Sequence, residues 1–438
     1  MAKTAKPKKT ASSKKVTEMV TPKGMRDIMG EEFYLFQGFF EKAQEVAMYY
    51  GFKPIETPTL EHEHVFTSGV GEGTDIVDKE MYTLRTKGGD HLALRPEHTA
   101  SLMRAYIEQG MGSQPQPLLF YQYGPSYRHD NPQKGRYRQF YQFDLDALGS
   151  DKSIIDALVI KTMITIINEA GAPNSSIELN SIGCKDCRPG YIRELVSYYK
   201  KNLNALPAID RERLKTNPLR ILDSKEEKTR EINAGAPECV SFLCPACKKH
   251  FKEVLEYLEE MEIPYNINKG LVRGLSYYSR TVFEVVVDMG EDNPKMAIAG
   301  GGRYDYLGRN LGSKKDVPAI GVALGVDRLI MMPWYIKHTP RIIKKPKVYF
   351  IQLGIEAKLK SLNVIEILRK AHVPIAQALS KDSLGAQLGM AEKSGAPYTI
   401  IFGQKEALEK SVIVRNMASR SQQTVKLKDL ADYMKTIK

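Results

Sequence analysis

The chain has 438 residues, of which 42% are hydrophobic and 26% are charged. This length predicts two or three domains, and the composition excludes wholesale disorder, a collagen-like repeat and a coiled-coil rod. A net charge of +12 predicts a polyanionic partner, and no apolar run approaches the roughly 20 residues that a membrane-spanning helix needs.

The positive charge is concentrated at the two ends of the chain. Residues 1–15 hold six lysines and no acid, and residues 347–438 carry 15 basic and 8 acidic side chains, which leaves the middle close to neutral. We therefore expect a basic, disordered tail over residues 1–20, a body over residues 21–345 and a nucleic-acid-facing domain over residues 346–438. A merely solubilising tail is the alternative for the first segment.

The elements of the body predict an antiparallel sheet with flanking helices, an α+β fold. An amphipathic helix is predicted over residues 31–50, because Phe33, Phe36, Phe40, Ala43, Ala47 and Tyr50 recur at three- and four-residue steps. Two strand–turn–strand patterns follow, YTLRT with HLALR and PLLFYQYGPSYRH with QFYQFDLDALG. Successive hairpins are typical of antiparallel pairing and differ from a dinucleotide-binding fold.

Residues from about 172 to 268 contain all five cysteines and are interpreted as an insertion. GVALGVDRLIMM is predicted to begin a helix whose Val322, Leu329 and Ile330 face the core. After the linker RIIKKPK, strands alternate with helices, as in a small α/β domain.

The loop from Arg128 to Arg138 places several cations between two strands, and this pattern is typical of a phosphate clamp. Arg128 and Arg136 could bind phosphate oxygens, and Phe140 could stack on a base. A solvated hairpin tip is the alternative.

The strand after this loop alternates polar residues, Gln142, Asp144 and Asp146, on one face of the sheet. A polar face inside a sheet indicates a ligand that is small and cationic or amide-like. Farther on, Arg273 precedes the pair Tyr277–Tyr278 and could neutralise a carboxylate or phosphate, with a structural ion pair as the alternative.

Two cysteine pairs, Cys184 with Cys187 and Cys244 with Cys247, have the spacing of metal-binding knuckles. Four thiolates could hold one Zn²⁺, although Cys239 is left over and four ordinary cysteines are the alternative. The low, odd number of cysteines excludes a secreted disulfide framework and predicts a cytoplasmic protein. His62 and His64 are interpreted as surface residues.

Several segments resemble class II aminoacyl-tRNA synthetases, and specifically the histidyl-tRNA synthetase family, from Pro22 onward. TPKGMRD and PIETPTLE resemble the first motif of the class, YRHDNPQKGRYRQFYQ the second and GVALGVDRL the third. LVRGLSYYSRTVFE and AIAGGGRYDYL resemble the two signatures of the histidine-specific family. The resemblance implies a class II catalytic core with an inserted domain, and a C-terminal α/β domain that binds the anticodon.

The resemblance also implies roles for individual residues. The ATP-binding and catalytic set would be Arg128, Arg136, Phe140, Arg273 and Arg328, with Arg273 at the α-phosphate. The histidine-binding set would be Glu97, His98, Thr99, Gln142, Asp146, Tyr277, Tyr278 and Tyr304. Three positions depart from the usual pattern: Ser276 replaces an aspartate, His98 replaces a glycine of bacterial members, and Asp146 is the shorter of two acids.

These roles predict a homodimeric ligase that activates L-histidine with ATP and Mg²⁺ and transfers it to tRNA(His). A catalytically inactive regulatory subunit of ATP phosphoribosyltransferase would share the fold, but such paralogues are expected to lose the ATP-side arginines and the anticodon-binding domain. An RNA-binding module without catalysis would leave the arginine clamp unexplained.

Overall fold

The computed structural model describes residues 19–71, 74–133, 135–288, 296–341 and 343–437. The chain divides into two compact units, Met1–Thr339 and Pro340–Lys438. The predicted basic tail lies outside the described residues except for its last two positions. Within the described ranges, no helix is long and apolar enough to cross a membrane.

The first unit contains ten α-helices among its described residues, interspersed with its strands along the chain. They are α1 (Gly30–Tyr49), α2 (Glu63–Val70), α3 (Thr99–Glu108), α4 (Ser153–Glu169), α5 (Arg188–Lys201), α6 (Ala208–Thr216), α7 (Glu227–Asn233), α8 (Pro245–Glu260), α9 (Leu307–Asn310) and α10 (Val326–Ile330). Short π- or 3₁₀-helical turns occur at Ile76–Glu80, Met111–Ser113, Pro218–Ile221 and Cys239–Phe242.

The strands of the first unit form an eight-stranded sheet and a three-stranded sheet. They are β1 (Lys53–Pro54), β2 (Leu60–His62), β3 (Tyr82–Arg85), β4 (His91–Leu94), β5 (Leu118–Tyr127), β6 (Gln139–Leu148), β7 (Ser175–Ser181), β8 (Tyr265–Ile267), β9 (Ser279–Val287), β10 (Met296–Arg303) and β11 (Ala319–Gly325). The large sheet has the order β1-β5-β6-β11-β10-β9-β7-β8. Its six inner strands pair antiparallel, as predicted, and the two edge strands pair parallel. Both predicted hairpins are present, as β3–β4 and β5–β6.

Helix α1 covers the large sheet, but its buried stripe differs from the predicted one. Phe39 and Val46 are buried, whereas Phe33 is 47% exposed. The predicted positions Phe36, Ala43 and Ala47 are buried, and Phe40 stacks on Tyr123 of β5. The buried face of α1 is therefore wider than the single predicted stripe, as is typical of a helix that packs on a sheet.

Two predictions about the middle of the body need correction. The insertion was predicted from about residue 172, yet β7 and β8 lie inside the large sheet and α8 packs on α4. The first and last parts of the predicted insertion therefore belong to the body, because β7, β8 and α8 pack with it. GVALGVDRLIMM begins as β11 and becomes helical only at Val326, although Val322, Leu329 and Ile330 are all buried.

The second unit has the predicted alternation of strands and helices. Its strands are β12 (Val348–Gln352), β13 (Ile375–Gln377), β14 (Tyr398–Phe402), β15 (Ser411–Asn416) and β16 (Gln422–Lys426), in the order β13-β12-β14-β15-β16. Its helices are α11 (Ile355–Lys370), α12 (Leu384–Ser394), α13 (Gln404–Glu409) and α14 (Leu430–Thr436).

Candidate active site

Two adjoining cavities are lined by the central strands of the eight-stranded sheet. The larger has a volume of about 360 Å³ and the smaller about 180 Å³. Their linings share Arg128, Arg273, Gly300 and Ala323. A molecule in one cavity and a molecule in the other would therefore meet beside two guanidinium groups.

The larger cavity contains the predicted ATP-binding set. Arg128 follows β5, where its Nε donates to the carbonyl of Pro96 at 2.9 Å and its guanidinium lies 5.3 Å from the centre of the Phe140 ring. Arg328 in α10 donates to the carbonyl of Ala297 at 2.8 Å. All five predicted residues line this cavity: Arg128, Arg136, Phe140, Arg273 and Arg328.

Two arginines of the larger cavity, Arg128 and Arg328, are destabilised as cations by burial. Burial lowers the pKa of Arg128 and that of Arg328 below the usual value for arginine. Both side chains remain cations at neutral pH, so the shift measures a desolvation cost. An anion in the cavity would offset this cost. Arg136 differs, because it is half-exposed and forms an ion pair with Asp130 in the same loop.

The N-terminal segment TPKGMRD contacts two residues that line the larger cavity, Tyr137 and Asp327, through Arg26. The buried carboxylate of Asp327 accepts hydrogen bonds from Arg26 at 2.8 Å and from the backbone N–H of Tyr141 at 2.5 Å. The Arg26 guanidinium also lies 3.9 Å from the ring centre of Tyr137. These contacts connect the N-terminal segment to β6 and α10. Neither Arg26 nor Asp327 was predicted as a site residue.

Arg273 stands at the boundary between the cavities because glycine leaves room for it. It forms an ion pair with Glu284 of β9. A Cβ atom at Gly300 would lie 2.4–2.7 Å from the Arg273 guanidinium. The glycine-rich segment of β10 therefore makes space for a cation. Glu284, the acid that pairs with Arg273, was not predicted as a site residue, although it is the last residue of LVRGLSYYSRTVFE.

The smaller cavity combines an acid with tyrosines. The carboxylate of Glu97 accepts hydrogen bonds from the backbone N–H groups of Thr99 and Ala100, both at 2.8 Å, at the start of α3. The hydroxyl of Tyr277 donates to the same carboxylate at 3.3 Å. Despite these donors, burial raises the pKa of Glu97 above its usual range. The predicted residues that line this cavity are Glu97, Thr99, Gln142, Tyr277, Tyr278 and Tyr304.

Asp146 lies behind the smaller cavity and acts on it through Tyr304. The Tyr304 hydroxyl donates to Asp146 Oδ1 at 2.6 Å. Burial, followed by the nearby carboxylate of Asp144, raises the pKa of Asp146 well above its usual range. A Cβ at Gly321 would lie 2.0 Å from Asp146 Oδ1, so glycine is needed on the adjacent strand.

His98 and Asp144 differ from their predicted places. Asp144, which was not in the histidine-binding set, lines the smaller cavity. His98, which was in that set, is fully buried and does not line it, because its Nδ1 lies 2.7 Å from Asp144 Oδ2. The imidazole therefore supports the acid from behind. The alternation of Gln142, Asp144 and Asp146 along β6 had indicated that Asp144 faces a ligand.

The four paired cysteines converge although the two pairs are at least 57 positions apart in sequence. Their sulfur atoms all lie within 4.8 Å of one another. The separations are 3.7 Å for Cys184–Cys187 and 3.9 Å for both Cys184–Cys244 and Cys187–Cys247. Cys239 lies outside the cluster, and burial raises the pKa of its thiol to about 12. The sequence-based prediction of one four-cysteine group therefore agrees with the geometry.

Comparisons with known proteins cover both units. A family model described as histidyl-tRNA synthetase matches residues 24–329, and one described as anticodon binding domain matches residues 347–437. A histidine–tRNA ligase from Dehalococcoides mccartyi is 40% identical over 410 residues, which are 94% of this chain and 97% of that protein.

Solved structures are similar over nearly the whole chain as well. The apo histidyl-tRNA synthetase of S. aureus has a TM-score of 0.78 and 28% identity, and the match covers 96% of this chain and 100% of that one. An ATP phosphoribosyltransferase regulatory subunit/histidyl-tRNA synthetase from Bacillus halodurans C has a TM-score of 0.59 and 21% identity, over 90% of this chain and 100% of that one. The second likeness concerns the fold alone.

Proposed function

The chain belongs to the histidyl-tRNA synthetase family, and we propose that it ligates L-histidine to tRNA(His), with its two cavities dividing the substrates between them. The larger cavity binds ATP, and the smaller one binds histidine. The observation that carries this assignment is the shared wall, where Arg128 and Arg273 border both cavities. In this arrangement the histidine carboxylate and the α-phosphate of ATP meet beside two cations.

The first reaction is adenylate formation. A carboxylate oxygen of histidine attacks the α-phosphorus in line, a P–O bond forms, and the bond to the β-phosphate oxygen breaks so that pyrophosphate leaves. Arg273 contacts the α-phosphate, whereas Arg128, Arg136 and Arg328 bind the other phosphates. Phe140 stacks on adenine. Positioning and preorganised charge supply the rate, so a protein nucleophile is not required.

The second reaction transfers histidine to the terminal ribose of tRNA. The hydroxyl oxygen attacks the carbonyl carbon of the adenylate, an ester forms, and AMP leaves with the acyl–phosphate bond broken. The second unit, which resembles an anticodon binding domain, supplies the contacts to the anticodon, and its net charge of +7 over residues 347–438 favours a phosphate backbone.

The acids of the smaller cavity select histidine. Glu97 and Thr99 bind the α-ammonium group, while Tyr304 and Asp146 orient the imidazole together with Gln142. The Oε1 atom of Gln142 is buried and has no hydrogen-bond partner within the described residues, so it is available to a donor on the ligand.

Two metals are part of the proposal. Mg²⁺ accompanies ATP, and the lining carboxylates Asp130, Glu284 and Asp327 offer the oxygen ligands that it prefers. The thiolates of Cys184, Cys187, Cys244 and Cys247 would hold Zn²⁺, since four sulfurs about 2.3 Å from one zinc would be about 3.8 Å apart. Three of the six sulfur separations, at 3.7–3.9 Å, match this value, and all six are within 4.8 Å.

We also propose a homodimer in the cytoplasm. Met29, Phe33 and Tyr34 of the N-terminal region are 74%, 47% and 42% exposed, which supports an apolar contact near the first motif. Light scattering after size-exclusion chromatography tests the dimer, and a monomer at micromolar concentration would contradict it. No disulfide joins the five cysteines, all of which lie in the described part of the chain, and this supports a reducing compartment.

Histidine-dependent exchange between ATP and pyrophosphate tests the function. We expect exchange with histidine and none with the other amino acids at equal concentration. The regulatory-subunit alternative predicts no exchange, but relatives about 40% identical over 94% of the chain are histidine–tRNA ligases. Normal histidine binding without exchange would refute the proposed activity in favour of this alternative.

A further inference from the structure

The four-cysteine cluster lies beside the segments that carry the histidine-pocket tyrosines. Cys187 is followed directly by Arg188, the first residue of α5. The Arg188 guanidinium donates to the carbonyl of Ile182 at 3.0 Å, to that of Gly183 at 3.0 Å and to that of Tyr278 at 2.6 Å. One side chain thus joins the first cysteine knuckle to the backbone of a residue that lines the smaller cavity.

The geometry of the first knuckle fixes where Arg188 points. Gly183 has a φ of +71°, and a Cβ there would lie 2.8 Å from Cys187 Sγ. The backbone N–H of Cys184 donates to the same sulfur at 3.2 Å, and the N–H of Arg188 donates to the carbonyl of Cys184 at 2.9 Å. The knuckle is therefore a tight turn whose exit direction depends on the position of the Cys187 sulfur.

A second connection runs from the other knuckle. Cys247 lies in the first turn of α8, and His250 one turn later places its Nε2 atom 2.7 Å from Asp156 Oδ2. The same carboxylate accepts a hydrogen bond from Nε of the fully buried Arg303 at 2.9 Å. Arg303 immediately precedes Tyr304, which contacts Asp146. Each cysteine pair is thus connected by hydrogen bonds to the backbone beside a tyrosine of the smaller cavity, Tyr278 for the first pair and Tyr304 for the second.

We infer that Arg188 is a positioning residue through which the metal-loaded cysteine cluster holds Tyr277 and Tyr278, so that occupancy of the cluster sets the affinity for histidine and not that for ATP. This inference rests on the proposed function of the smaller cavity. The described contacts of Arg188 are to carbonyl oxygens, and none of the residues of the larger cavity receives a hydrogen bond from it. Arg188 touches the protein and not the substrate.

The test compares Arg188→Ala, Arg188→Lys and the control Arg193→Ala, an exposed position on the same helix. Zinc content, thermal midpoint and the KM values for histidine and ATP in pyrophosphate exchange are measured for each. For Arg188→Ala we expect one zinc per chain, a KM for histidine raised at least tenfold and a KM for ATP within twofold of the unaltered chain. Arg188→Lys should lie between, because an ammonium group cannot donate to all three carbonyls in the same fork geometry, and Arg193→Ala should match the unaltered chain.

A second measurement remains available where Arg188→Ala fails to fold. A mercurial thiol reagent is titrated into the unaltered protein, zinc release is followed with a colorimetric chelator, and histidine affinity is measured by calorimetry on the same samples. We expect affinity to fall in proportion to the zinc released. An unchanged affinity after full release would overturn the inference.

Two other outcomes separate this inference from the proposed function. An unaltered chain that exchanges normally, with Arg188→Ala equal to it or with both KM values raised by the same factor, would overturn the inference alone. An unaltered chain that neither binds histidine nor supports exchange would overturn the proposed function, on which the inference depends.

Discussion

Gly300→Ala should inactivate the enzyme by displacing Arg273 while leaving the fold intact. The new Cβ would stand 2.4 Å from Nη2, 2.6 Å from Nη1 and 2.7 Å from Cζ of Arg273. These atoms are the far end of a flexible side chain, so the guanidinium can move away without a shift of the strand. The movement separates it from Glu284 and from the boundary between the cavities.

The size of the effect follows from the loss of one preorganised cation. A single charge-stabilising donor at a transition state is worth about 3 kcal/mol, which corresponds to a loss of roughly 100-fold or more in kcat for pyrophosphate exchange. Stability should change by no more than about 1 kcal/mol, because alanine is at least as favourable as glycine in a strand interior. Arg273→Ala should give a similar loss in kcat.

A double-variant cycle makes this reasoning refutable. If Gly300→Ala acts only through Arg273, the combined variant should be no slower than Arg273→Ala alone. Gly389→Ala in α12 is the matched control, since a Cβ there meets no atom within 4 Å. Multiplied losses in the combined variant would mean that the methyl group blocks a substrate directly, and the assigned role of Gly300 would be wrong.

Three further predictions concern the pocket acid, the metal and the second unit. Asp146→Asn should weaken histidine binding, as measured by calorimetry. Because the carboxyl pKa is raised in the folded protein, its cost to stability is absent below the unfolded-state pKa and grows as pH rises from there toward the folded-state pKa. The variant should therefore melt higher than the unaltered ligand-free chain at pH 8 and equally near pH 4. Elemental analysis should find one zinc per chain, and four freely titratable thiols among Cys184, Cys187, Cys244 and Cys247 in the folded protein would contradict it. Truncation after Lys345 removes the second unit and should preserve adenylate formation if the dimer persists. It should reduce tRNA charging and also the salt sensitivity of charging. Equal charging by the truncated and full-length chains would exclude an anticodon role for the second unit.

The sequence predicted the arginine set because each of these residues lies in or beside a strand or helix with a clear pattern. Arg128 and Phe140 flank one hairpin, and the strand order then brings Arg273 and Arg328 to the same cavity. The four cysteines were predictable from spacing within each pair. The convergence of the two pairs depends on the tertiary fold, which brings the starts of α5 and α8 together and which local patterns do not encode.

The sequence could not predict the residues that act through others. His98 was assigned to the substrate, yet it is buried against Asp144, because a polar residue after a strand gives no sign of which side it will face. Arg26 and Asp327 are 301 positions apart, and only the tertiary fold makes them an ion pair. The strand β7 was placed in an insertion because it directly precedes the cysteine-rich segment in sequence, whereas its partners in the sheet, β8 and β9, come only after that segment.

We propose that selectivity for histidine arises from the buried acids of the smaller cavity, an arrangement that is costly in the ligand-free protein. Burial raises the pKa of Glu97 and that of Asp146, so part of their charge is uncompensated until a ligand arrives. A ligand with an ammonium group at one end would pair with Glu97. An imidazole N–H at its other end would reach Asp146 only through the hydroxyl of Tyr304, whereas it could donate directly to Gln142 Oε1. An amino acid without the second donor would leave Gln142 Oε1 unpaired, at a cost of about 1–3 kcal/mol. The pocket therefore discriminates by penalising incomplete ligands.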